Sequence, residues 1–122
     1  MKTLPSVIVE SNQAVAHVTL NRPDRRNAYD GRLIAELHAA FEQIGKDASI
    51  RVVVLTGAGA TFCAGADLRW MVPPSPVSDT QARADAKQLS DMYRAIDEFS
   101  CPVIGRVNGP AFGGGVGLVA VC

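Results

Sequence analysis

The sequence predicts an α/β fold built on a parallel sheet, from three observations. Short β-rich runs alternate with segments of helical spacing, over 15–20, 33–44, 51–56, 89–99 and 103–107. Strand, helix and strand in that order give right-handed βαβ connections. Val52, Val53, Val54 and Leu55 form an unbroken apolar run, the pattern of a parallel strand buried on both faces. Two glycine-dense segments, 57–67 and 108–118, each follow a strand-like run.

Residues 7–10 and 15–20 alternate in polarity around Asn12 and Gln13, so they read as a β-hairpin. Ala16, Val18 and Leu20 share one face; Val15, His17 and Thr19 share the other. Segment 21–27 is a polar loop fixed by Pro23. Asp30 caps a helix running to about Ile44. Its apolar positions Leu33, Ile34, Leu37, Phe41 and Ile44 fall on one helical face, and Gly45 suits the stop. Segment 72–78 holds Pro73, Pro74 and Pro76, which excludes regular structure there. A second helix starts at Asp79 or Thr80 and continues to about Phe99, with Leu89, Met92, Tyr93, Ile96 and Phe99 as its apolar stripe. After Pro102 come a strand over 103–107 and a third helix that begins inside the second glycine segment.

The bulk numbers exclude several classes. A length of 122 residues suits one domain. With 48% hydrophobic and 20% charged residues the composition is globular. Lys plus Arg and Asp plus Glu are both 12, so no nucleic-acid partner is expected. No apolar run is long enough to span a bilayer and the N-terminus lacks a signal-peptide core, so no membrane partner is expected. Cys63, Cys101 and Cys122 are odd in number and widely spaced, with no Cys/His cluster, which points to reduced thiols in the cytoplasm and to no metal. The chain stops within the apolar 116–122 run without a turn or cap, and reads as truncated at the C-terminus.

The glycine segments carry the chemistry. Asn108-Gly-Pro-Ala-Phe-Gly-Gly-Gly-Val-Gly-Leu118 holds five glycines in eleven residues. Glycine that dense weakens any helix or strand. What it gains is bare backbone, whose N–H groups can approach a ligand closely where a loop turns into a helix. Gly57-Ala-Gly-Ala-Thr-Phe-Cys-Ala-Gly-Ala-Asp-Leu-Arg69 has the same character, so two loops offer backbone donors that can converge on one oxygen.

Three segments resemble the N-terminal half of the crotonase (enoyl-CoA hydratase/isomerase) superfamily: Leu20-Asn-Arg-Pro-Asp-Arg-Arg-Asn-Ala28, the 56–71 segment with Phe62-Cys-Ala-Gly-Ala-Asp-Leu68, and Cys101-Pro-Val-Ile-Gly-Arg-Val-Asn-Gly-Pro-Ala-Phe-Gly-Gly-Gly115. The variants over 64–71 and 112–118 look most like the methylglutaconyl-CoA and carboxygeranoyl-CoA hydratase branch. The resemblance implies a crotonase-like spiral of ββα units, of which residues 1–122 are the N-terminal part of a single domain. It implies an acyl-CoA thioester substrate, no cofactor beyond the coenzyme A of that substrate, and homo-trimers or hexamers at full length. It implies that the Ala66 and Gly114 N–H groups bind the thioester oxygen as it becomes an enolate. Substrate and CoA contacts are implied at Arg25, Arg26, Ala28, Ala64, Asp67, Leu68 and Arg69, with Asn27 and Ala28 shaping their loop.

One departure matters. The resemblance implies a glutamate two residues beyond the Gly113-Gly114-Gly115 run, and Gly117 stands there. The two loop motifs still make hydration or double-bond isomerisation of a 2-enoyl-CoA the expected reaction, while Gly117 favours the alternative, a non-catalytic CoA-thioester binder or a degenerate fragment needing a partner chain. A dinucleotide site on 57–62 lacks its third glycine and its acidic partner. Plainer roles stand beside the sharp ones. Asp67 can cap a short helix, Arg25, Arg26 and Arg69 can be solvated charges, and Trp70 and Met71 can anchor their loop. The proline segment can be a surface loop or a lid over the acyl chain. His17 and His38 have no partner at catalytic spacing.

Overall fold

A computed structural model describes residues 2–122. Its elements are strands β1 (Val7–Asn12), β2 (Val15–Leu20), β3 (Val52–Gly57) and β4 (Val103–Arg106). Its helices are α1 (Gly31–Gly45), α2 (Leu68–Met71), α3 (Asp79–Asp97) and α4 (Gly114–Ala120), with a short 3-10 turn at Pro23–Arg25. The four strands lie in the order β1-β2-β3-β4. β1 and β2 form the expected antiparallel hairpin, with Val7 opposite Leu20 and Asn12 opposite Val15. The tight turn is Gln13 and Ala14, one residue later than expected, and Gln13 takes the positive φ of 55°. β2, β3 and β4 are parallel, with Val18 beside Leu55 and Leu55 beside Gly105.

One face of this sheet makes the core. Ala16, Val18, Leu20, Val53 and Leu55 are fully buried, against Leu33, Ile34, Leu37 and Phe41 of α1 and Met92 and Ile96 of α3. Burial of each large apolar side chain is worth about 1.5–3 kcal/mol. Phe41 and Phe99 close the layer edge-to-face at 5.2 Å and 87°. The expectation that β3 is buried on both faces is corrected. Its residues alternate, with Val53 and Leu55 buried and Val52, Val54 and Thr56 half-buried, because both helices of the core lie on one side.

Asp30 caps α1 as expected, its Oδ1 accepting from the Leu33 N–H at 2.9 Å. Gly45 is the last helical residue and does not turn left-handed; Lys46 follows in the right-handed region. α3 begins at Asp79, as expected, with Ser78 as its cap. The Ser78 hydroxyl accepts from Gln81 at 3.1 Å, and the helix ends at Asp97, before Phe99. Segment 72–78 is irregular and mostly exposed, as its prolines require. No helix among the described residues is long and apolar enough to cross a membrane.

Each strand of the parallel part is followed by a loop, a single-residue bridge and a helix. Tyr29 bridges Ala66, and Cys63 bridges Ala111, both in parallel sense. These bridges are the second strands of successive ββα turns, reduced to one residue each.

Candidate functional site

The two glycine loops meet beyond the ends of β3 and β4. The Phe62 N–H donates to the Pro110 carbonyl at 3.0 Å, and the Phe112 N–H to the Cys63 carbonyl at 3.0 Å. Asn108 fixes the base of the junction. Its Oδ1 accepts from the Gly57 N–H at 3.0 Å and its Nδ2 donates to the Gly59 carbonyl at 2.9 Å. A Cβ on Gly65 would lie 2.8 Å from the Phe112 carbonyl oxygen and 3.1 Å from the Gly114 nitrogen. The Gly65–Ala66 peptide therefore lies alongside the Gly113–Gly114 peptide.

Ala66 and Gly114 share a property. Neither N–H has a hydrogen-bond partner among the described residues. For Ala66 the cause is the parallel bridge. Tyr29 takes both of its bonds from the neighbours, donating to the Gly65 carbonyl at 2.9 Å and accepting from the Asp67 N–H at 2.8 Å. The amide of Ala66 consequently faces away from Tyr29. Gly114 is the first residue of α4, so its N–H has no partner within the helix, and Gly113 before it has no side chain to cap with. Each free amide follows a glycine with positive φ, Gly65 at 91° and Gly113 at 50°. That backbone region is open to glycine at no steric cost.

Asn27 anchors the first loop from inside. It is fully buried with a positive φ of 55°. Its Nδ2 donates to the carbonyls of Ala58 and Thr61 at 2.9 and 2.8 Å, and its Oδ1 accepts from the Arg22 N–H at 2.8 Å. The buried Cys63 thiol donates to the Asn27 carbonyl at 3.1 Å, and burial pushes its pKa up. This thiol packs and bonds locally, the plain role.

A polar cleft beside the loops is lined by Arg22, Arg25, Asp30, Asp67, Arg69 and Trp70. Three of the expected contact residues, Arg25, Asp67 and Arg69, thus share one surface. Arg26 and Leu68 do not line it and are exposed. Ala28 and Ala64 are half-buried. The Ala28 carbonyl accepts from the Arg22 guanidinium, and the Ala64 N–H donates to the Arg26 carbonyl at 3.0 Å. Arg22 also pairs with Asp67 at 3.2 Å and Asp30 at 3.5 Å. Asp67 caps α2, its Oδ1 accepting from the Arg69 N–H at 2.9 Å. Burial works against its charge, but that N–H and the Arg22 guanidinium outweigh burial and hold the carboxyl below its usual range. Trp70 anchors its loop edge-to-face on Tyr29 at 6.1 Å, whereas Met71 is exposed. His38 is a helix-surface residue 3.3 Å from Glu42.

Sequence reasoning did not single out Arg22, Tyr29, Tyr93 or Asn108. Tyr29 stands between the polar loop and the Asp30 cap, and its side chain is buried. Tyr93 was visible only as part of a helical stripe. Its hydroxyl donates to the Gly114 carbonyl at 2.6 Å. Burial and the neighbouring Tyr29 phenol push its pKa far up, so it stays protonated.

The four-stranded sheet and its helices form a mixed α/β fold that matches crotonase-type structures. The chain belongs to the enoyl-CoA hydratase/isomerase family, which matches residues 10–122. It is 41% identical over 110 residues to the Mycobacterium tuberculosis protein named "Probable enoyl-CoA hydratase echA6", covering 90% of this chain and 42% of that protein. It is 37% identical over 120 residues to 4-chlorobenzoyl coenzyme A dehalogenase-1 of an Arthrobacter species, and 37% identical over 124 residues to the mouse mitochondrial Delta(3,5)-Delta(2,4)-dienoyl-CoA isomerase. These matches cover 95% and 94% of this chain, and 42% and 38% of those proteins. The crystal structure of an enoyl-CoA hydratase from Mycobacterium smegmatis superposes with a TM-score of 0.90 at 36% identity, over 98% of this chain and 46% of that one. The chain thus spans less than half the length of these relatives.

Proposed function

We propose that this chain forms the thioester-binding part of an acyl-CoA enzyme that hydrates or isomerises a 2-enoyl-CoA through an enolate. The observation that carries this reading is the pair of unpartnered amides, Ala66 and Gly114, on adjacent peptides. A thioester oxygen that accepts from both gains most when it becomes an enolate, because the donors are already in place as the charge grows. Loss of one such donor in other enzymes costs about 3–4 kcal/mol. The names of the relatives support the same emphasis. Hydratase, isomerase and dehalogenase differ in reaction, but each name carries a coenzyme A thioester.

Arg25 and Arg69 are the cations left for the nucleotide phosphates of coenzyme A, since the Arg22 guanidinium is engaged by two carboxylates and a carbonyl. Ala64, Asp67 and Leu68 hold the substrate by main-chain contacts, while Arg26 and Ala28 shape the loop beside it. In this reading the acyl-CoA is the sole small-molecule partner and no separate cofactor is needed. The full protein works as a homo-trimer or hexamer in the cytoplasm. The segment variants over 64–71 and 112–118 favour a branched or carboxylated acyl group.

One observation favours a second reading, a CoA-thioester binder without turnover. The residue at 117 is glycine, and its open side is covered by Tyr93. The ionisable groups acting on Tyr93 there are the Tyr29 phenol and the Cys63 thiol, not a carboxylate. The deciding experiment adds crotonyl-CoA to the intact protein and follows the absorbance of the conjugated thioester. Loss of absorbance that is abolished by blocking the Gly65–Ala66 turn establishes the enzyme. Tight binding without absorbance loss establishes the binder, and absence of binding refutes both.

A further inference from the structure

We infer that Tyr29 and Tyr93 are positioning residues that hold Gly114 at its Cα and at its carbonyl and so fix the direction of its N–H. The inference rests on the oxyanion reading above. It starts from a weakness of α4. This helix has seven residues, three of them glycine, and its Gly113 cap offers no side-chain bond. Glycine is the weakest helix former after proline, so the first turn has little of its own to hold it still. Yet the Gly114 amide must be fixed to act as a preorganised donor.

The two phenols supply what the helix lacks. The Tyr93 hydroxyl, reaching over from α3, donates to the Gly114 carbonyl at 2.6 Å. The Tyr29 hydroxyl oxygen sits only 1.9 Å from where a Cβ on residue 114 would be, so it bears directly on the bare Cα. Tyr29 is itself held fast. It is 4% exposed, its ring meets Trp70 edge-to-face, and its backbone brackets Ala66. One residue thus touches both proposed donors, through its main chain at Ala66 and through its hydroxyl at Gly114.

The same contacts account for two glycines. Gly114 leaves room for Tyr29. A Cβ on Gly117 would lie 3.0 Å from Cε1 and 3.2 Å from the hydroxyl oxygen of Tyr93, so glycine at 117 lets the Tyr93 ring lie over the helix and reach Gly114. Because burial keeps the Tyr93 phenol protonated, its grip on the carbonyl does not change over the ordinary pH range.

The test is isotope-edited infrared spectroscopy of a carbonyl-13C acyl-CoA bound to the intact protein. In the wild type the thioester carbonyl stretch falls on binding, the signature of polarisation by the two amides. Tyr93→Phe and Tyr29→Phe keep the rings and the fold but remove the hydroxyls. Both are expected to bind the acyl-CoA with unchanged affinity and to lose most of that shift. If the protein turns over crotonyl-CoA, kcat falls by up to about 10²-fold at constant KM, the scale of a small misplacement of a reacting group. Gly117→Ala, which pushes on the Tyr93 ring from the helix side, is expected to act in the same direction. A full wild-type shift in both phenylalanine variants overturns the positioning role and leaves the oxyanion reading standing. A bound acyl-CoA with no shift in the wild type overturns the oxyanion reading, and the positioning role with it.

Discussion

The two donor loops reach the same end by opposite means. The first, from Gly57 to Asp67, is fixed by polar side chains: Asn27 from inside, Asn108 from the neighbouring loop, and Asp67 tied to Arg22. The second, from Gly109 to Gly115, brings almost no side-chain polarity of its own. It is fixed by fit. A Cβ on Gly109 would meet the Ala60 carbonyl oxygen at 2.0 Å, and one on Gly115 would meet the Cys63 carbonyl oxygen at 2.2 Å. Where a hydrogen-bond network holds a loop, damage is graded, one bond at a time. Where backbone lies against backbone, a single methyl has nowhere to go.

That contrast orders the expected effects. Gly65→Ala touches both loops at once, because its Cβ would crowd the Phe112 carbonyl and the Gly114 nitrogen, at a residue whose φ is 91°. It should cut turnover on the scale of losing a donor, roughly 10²–10³-fold, and with it the infrared shift of the thioester carbonyl. Steady-state kinetics or the infrared shift checks it. Gly115→Ala should act first on stability, costing about 3 kcal/mol in a urea melt, because the obstructing atom is a backbone carbonyl that cannot swing aside.

On the side-chain half of the comparison, Asn27→Ala should cost about 3 kcal/mol, from three lost hydrogen bonds at about 1 kcal/mol each. If Asn27→Ala proved harmless while Gly115→Ala was severe, the first loop would also be held by fit. Asp67→Ala should cost about 1 kcal/mol through the lost α2 cap and ion pair. Its pH dependence has a fixed sign. The folded carboxyl lies below its ordinary value, so its stabilisation is present above about pH 3.9 and disappears as the pH falls through the folded value. The gap in melting temperature between wild type and Asp67→Ala should therefore close in acid. The smallest effect is expected at the cleft. Arg25→Ala or Arg69→Ala should weaken acyl-CoA binding by about tenfold, or 1.4 kcal/mol, and leave binding of a pantetheine thioester without the nucleotide unchanged in calorimetry.

Much of this was legible in the residues. Ala16, Val18 and Leu20 were assigned to one face by alternation alone, and that face is buried. Asp30 was readable as a cap, and Asp67 as one too, because short polar side chains before a helix have few other uses. Both glycine loops were legible as bare backbone. What stayed hidden depended on distance in sequence. Tyr93 and Gly114 are far apart in the chain, and nothing in a helical stripe tells which tyrosine points its hydroxyl at a loop. Arg22 looked like any arginine of a polar turn until Asp30 and Asp67 came to it in space. The apolar run of β3 suggested two buried faces, but a single layer of helices leaves its second face half-open. The start of α3 at Asp79 was legible, but its end was not, since the apolar stripe runs on to Phe99 while the helix stops at Asp97.

The central claim is that the Ala66 and Gly114 amides bind one thioester oxygen. The most direct measurement is the amide 1H–15N spectrum of the intact protein, selectively labelled at alanine and glycine, titrated with a saturated acyl-CoA. The Ala66 and Gly114 protons are expected to shift downfield together and saturate on one binding curve, as free N–H groups acquiring a common acceptor. Binding of acyl-CoA that shifts other resonances while these two stay in place would refute a shared thioester oxygen.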